Sequence, residues 1–75
     1  MDLDKTIEIL KKDLELFGLN HRCSKLELYR KYQQYLKTWK LDNFDSLDEK
    51  LSASKNIDKA HKSYDFIKTH WNYLI

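Results

Sequence analysis

No proline, one glycine and one cysteine interrupt these 75 residues. Strands need turn residues between them, so this shortage excludes a sheet-rich or loop-rich protein. With 35% charged residues, it leaves an all-α bundle with charged outer faces. A lone Cys23 cannot close an internal disulfide, which points to a reducing, cytoplasmic setting. No apolar run approaches the roughly 18 residues of a membrane span. The acidic start Met1-Asp-Leu-Asp-Lys5 is unlike a signal peptide, so the expectation is a soluble chain with no membrane partner. A formal net charge of +2 is too small to imply nucleic acid by itself. The length suits one domain over residues 1–75, near the size at which a single core just outweighs ordering entropy.

What is present is helical periodicity. Leu3, Ile7, Leu10, Leu14 and Phe17 recur at spacings of three and four, which predicts helix one over Asp2 to Phe17. Asp2 or Asp4 can cap its start, and Gly18 stands where a left-handed residue would end it. After a short connector, Ser24-Lys-Leu-Glu27 has capping-box spacing and predicts the start of helix two. Leu28, Tyr32, Tyr35, Leu36 and Trp39 form its apolar stripe, with Tyr29 at the edge. From Ser24 to Lys40 there are five bases and one acid, a local charge of +4. Leu41 to Glu49 then carries only acids, marking a loop and the next helix start at Ser46-Leu-Asp-Glu49, which repeats the spacing. Helix three continues for about six turns through Leu47, Leu51, Ser54, Ile57, Ala60, His61, Tyr64 and Ile67. The apolar tail from His70 to Ile75 either prolongs that helix or folds back onto helix one. Short connections imply an antiparallel hairpin of helices two and three, with a shorter first helix across its seam.

Several of these residues resemble a known family. Glu15-Leu-Phe-Gly-Leu19 is similar to the entry of the J-domain, the module of DnaJ-type co-chaperones. In that alignment Ser24 falls on the helix-two cap, Leu28 and Tyr32 on its core positions, and Arg30, Lys31 and Lys37 in its basic helix. Ile57-Asp-Lys-Ala60-His-Lys-Ser63-Tyr64-Asp-Phe66-Ile67 resembles the family's third helix, so the likeness spans residues 13 to 69. It implies a J-domain-like fold: a helical hairpin with an N-terminal helix packed across it and a short C-terminal helical tail. The chain departs from the pattern in one place. The histidine-proline-aspartate tripeptide that the family needs to stimulate the seventy-kilodalton heat-shock chaperone ATPase is replaced by Lys40-Leu41-Asp42. Lysine offers no planar donor and acceptor, and leucine does not fix the backbone. The resemblance therefore implies a non-enzymatic adaptor or decoy co-chaperone. Its partner would be a heat-shock chaperone ATPase or a J-domain assembly, bound through Arg30, Lys31, Lys37, Lys40, Leu41 and Asp42.

The basic face of helix two has two other readings. One is a solvated helix face. The other is a small nucleic-acid-binding domain that stacks bases on its tyrosines, against which the acidic block from Asp42 to Glu49 argues. His21 and Cys23 lack a second ligand pair, so no metal is expected. His61 is expected as a half-buried packing residue at the helix-two seam, and His70 as a helix-end residue. Asp48 and Glu49 suit a helix start better than acid-base chemistry, and no glycine-rich phosphate loop or nucleophile constellation exists, so no cofactor is expected.

Overall fold

The computed structural model describes residues 3–74. They form three α-helices, α1 (Leu3–Leu16), α2 (Lys25–Thr38) and α3 (Leu47–Thr69), with 3-10 turns at Leu41–Asn43 and Trp71–Leu74. No strand occurs among the described residues, so the all-α expectation holds. Asp4 lies in the first turn of α1. The other candidate cap, Asp2, and the last tail residue, Ile75, lie outside the described residues.

Local chemistry sets the helix ends. Gly18 adopts φ 71, and the amides of Gly18 and Leu19 reach back to the carbonyls of Glu15 and Leu14, both at 2.9 Å. This is the paired closure that a left-handed residue permits at a helix C-terminus. At the start of α2, the Ser24 hydroxyl accepts from the Glu27 amide at 3.1 Å and the Glu27 carboxylate accepts from the Ser24 amide at 3.3 Å, completing the capping box. Ser46 makes only the first of these bonds at the start of α3, accepting from the Glu49 amide at 3.1 Å.

Helices α2 and α3 run antiparallel. Lys25 and Leu28 share a cavity with Tyr64, Lys68 and Trp71; further on, Tyr32 stacks on Tyr64; and Trp39, past the end of α2, stacks on Phe44, before the start of α3. Helix α1 packs mainly against α3 and reaches α2 through Phe17, whose ring meets Tyr32 and Tyr35 edge-on. Leu10, Leu14, Leu28 and Ile67 are fully buried at the junction of the three helices. Each such side chain contributes about 1.5–3 kcal/mol on leaving water. The tail takes the second of its two expected courses. Trp71 and Leu74 pack against the core, and Tyr73 and Leu74 line a groove with Ile7 and Lys11 of α1.

Three expectations need correction. Helix one is not the shorter partner, since α1 and α2 each have 14 residues. The buried face of α3 is Ala53, Ala60, Ser63 and Ile67, whereas Leu47 and Leu51 are 84% and 57% exposed and Ser54 is also exposed. With 23 residues α3 is about 35 Å long against about 21 Å for each partner, so its first turns outrun the core. Leu51 also lies about 180° around the helix from Ala60, too far to share its stripe. His61 sits at the α2 seam as expected, hydrogen-bonded to the Tyr32 hydroxyl, but on the exposed side rather than half-buried.

Candidate functional site

The residues proposed from sequence lie along α2 and the turn that follows it. Arg30 and Lys37 are two helical turns apart and differ by only about 20° around the axis, so they share the outer face. Lys31 is rotated by about 100° from Arg30 and stands on the flank. All three are exposed, and none lies within ion-pair distance of an acid among the described residues. The opposite side of α2 carries Leu28 and Tyr32 into the core, with Tyr35, Leu36 and Trp39 half-buried beside them. Burial pushes the Tyr32 phenol up, as do the neighbouring charges of Tyr64, Asp65 and Tyr29. The phenol therefore keeps its proton at neutral pH and can donate it to His61 Nδ1.

Lys40, Leu41 and Asp42 form the tight turn at the end of this face. Lys40 precedes the 3-10 turn, whose amides close it: Asn43 N donates to the Lys40 carbonyl at 3.0 Å and Phe44 N to the Leu41 carbonyl at 3.1 Å. No proline is needed to hold the shape. The Asn43 side-chain amide donates to the Lys37 and Thr38 carbonyls at 2.9 and 3.4 Å, capping α2, and the Trp39–Phe44 stack closes the turn from the other side. Lys40 Nζ and Asp42 Oδ2 are 3.9 Å apart with side chains 65% and 86% exposed, a pair that contributes little to stability. Leu41 is exposed between them.

Periodicity alone left Leu26 unassigned and set Tyr29 at the edge of the apolar stripe. Leu26 and Tyr29 are both exposed, and Leu26 lies about 40° from Arg30 on the outer face. The outer side of α2 is thus a mixed basic and apolar surface. The available signal was an apolar residue four positions before Arg30, on the polar side of the stripe.

Elsewhere the chemistry is sparse. Burial, reinforced by the Glu27 carboxylate, pushes the Cys23 thiol up, away from nucleophile character. Among the described residues, no three His, Cys, Asp or Glu side chains gather to hold a metal ion, and no helix is long and apolar enough to cross a membrane. Comparison with protein-family models, curated proteins and solved structures finds no match to this chain.

Proposed function

We propose that this chain is a J-like protein-interaction module that docks on an acidic partner surface through α2 and the following turn, without accelerating ATP hydrolysis. The observation that carries this reading is the row of exposed, unpaired bases, Arg30, Lys31 and Lys37, leading to the exposed Lys40-Leu41-Asp42 turn. Positive charge facing solvent without an acid at ion-pair distance is available to steer an acidic partner. Leu26 and Tyr29 add apolar contact area next to Arg30. The antiparallel α2–α3 hairpin with α1 against it supports the J-domain-like reading of the fold, and the free, half-buried Cys23 suits a reducing, cytoplasmic setting.

Each residue has a role in this reading. Arg30 and Lys37 supply the central contacts, Lys31 widens the field on one flank, and Lys40, Leu41 and Asp42 form the end of the footprint. Lys40 and Leu41 lack the imidazole and the fixed backbone that the family uses for activation, so binding is uncoupled from catalysis. Nucleic acid fits less well, because Asp42, Asp45, Asp48 and Glu49 would repel phosphates at one end of the basic run.

The test uses the ATPase domain of a seventy-kilodalton heat-shock chaperone. Binding at low salt should weaken by about tenfold or more, mainly through slower association, when Arg30, Lys31 and Lys37 are all changed to glutamate. Single-turnover ATP hydrolysis should proceed at the same rate with and without this chain. Clear acceleration would refute the uncoupled reading, and unchanged affinity in the triple variant would refute the docking face.

A further inference from the structure

At the end of the hairpin far from the Lys40–Asp42 turn, the start of α2 and the end of α3 enclose a second feature. A cavity of about 140 Å³ is lined by Lys25, Leu28, Tyr64, Lys68 and Trp71. Its composition is divided. Leu28 is fully buried and supplies an apolar floor, while the half-buried rings of Tyr64 and Trp71 supply aromatic walls. Both polar members are cations. Lys25 Nζ lies 5.8 Å from the Trp71 ring centroid, and Lys68 Nζ lies 5.4 Å from that of Tyr64.

Each ammonium is held over a ring but has no carboxylate within ion-pair distance among the described residues. An ammonium has three donors and no acceptor, so one that rests on a ring face still has hydrogens to offer. Two such groups at the rim of one apolar hollow match an anion with two acceptor oxygens and an apolar body. Size narrows the body: an apolar cavity of about 150 Å³ accommodates benzene. An aliphatic chain would also enter, but aromatic walls favour a ring, which meets them edge-on or offset.

We propose that this cavity binds a small aromatic carboxylic acid, with the ring on Leu28 between Tyr64 and Trp71 and one carboxylate oxygen facing each of Lys25 and Lys68. None of these five residues belongs to the α2 docking face, so the site stands independently of the function proposed above.

The two tryptophans make the test self-controlled, since Trp71 lines the cavity and Trp39 lies at the other end of the hairpin. Titration of the isotopically labelled chain with phenylacetate, followed by nitrogen-proton correlation spectra, should move the Trp71 indole signal and leave that of Trp39 in place. The neutral analogue 2-phenylethanol should bind at least about fivefold more weakly, the discrimination expected when partly exposed ion pairs are lost. The double variant Lys25→Gln, Lys68→Gln should remove the same discrimination while keeping the dispersed spectrum of a folded chain. Equal affinity for acid and alcohol would overturn the proposal, as would shifts spread over surface lysines without Trp71. Much tighter binding of an acetylated tripeptide ending in phenylalanine would assign the cavity to chain termini and overturn the small-acid reading.

Discussion

The two ends of the helical hairpin are built from the same kinds of residue with opposite results. Towards the open end, α1, α2, α3 and the Trp71–Leu74 turn converge, and Leu10, Leu14 and Leu28 are fully buried. At the closed end, the first turns of α3 and the Leu41–Asn43 turn extend past the core, and Leu41, Leu47 and Leu51 remain exposed. A leucine is buried only where a second surface reaches it. Helical spacing states which residues share a face; whether that face is covered depends on where neighbouring helices stop.

Truncating one leucine at each end should give the widest contrast. Leu14→Ala removes a fully buried side chain at the junction of three helices and should cost about 2–5 kcal/mol, enough to unfold much of a domain this small. Leu51→Ala at the closed end should stay within about 0.5 kcal/mol of the parent. Urea denaturation followed by circular dichroism measures both, and equal losses would dissolve the distinction between the ends.

A middle-sized contrast lies in the two serine caps. Ser24→Ala removes the hydroxyl that accepts from the Glu27 amide and leaves the Glu27 carboxylate's bond to the residue-24 amide without its reciprocal partner, so at the packed end it should cost about 1 kcal/mol or more. Ser46→Ala removes a single bond at an end that is already solvated, and its cost should fall near about 0.5 kcal/mol. The same denaturation series reads both, and a larger loss for Ser46 would show that the tip carries stability its exposure conceals.

Asp13 gives the smallest effect. Burial raises its pKa, against the opposing influences of the Ser63 hydroxyl, which donates to it at 3.0 Å, and of Lys59. A raised carboxyl favours the folded state in its protonated form. That contribution is complete below the ordinary aspartate range and is lost as pH rises through the folded value. Asp13→Asn should therefore be slightly more stabilising at neutral pH than in acid. Stability measured from acid to neutral pH checks the sign.

Much of the fold could be read in advance because its signals are local. Gly18, the Ser24 box and the Ser46 cap each act within a few residues, and each stands where its spacing indicated. The buried side chains of Thr6, Ala53, Ala60 and Ser63 could not all be found this way. Small or polar residues carry little hydrophobic signal, and they are buried because another helix passes close by. The candidate docking face was visible for the same local reason, since Arg30 and Lys37 share a side of one helix whatever the tertiary arrangement. The cavity at Lys25 and Lys68 was not, because its members meet only through the antiparallel pairing of α2 with α3.

The overhang of α3 has a consequence for time as well as for energy. Geometrically α3 is one unbroken helix from Leu47 to Thr69, yet apart from the buried Ala53 its share of the central core comes from Ala60 onward. Backbone amides near Lys50 and Leu51 can meet solvent through fraying that leaves the core untouched, whereas those around Ser63 and Ile67 must wait for the whole domain to open. A single rod therefore keeps two clocks, a fast one beside the Leu41–Asn43 turn and a slow one at the centre.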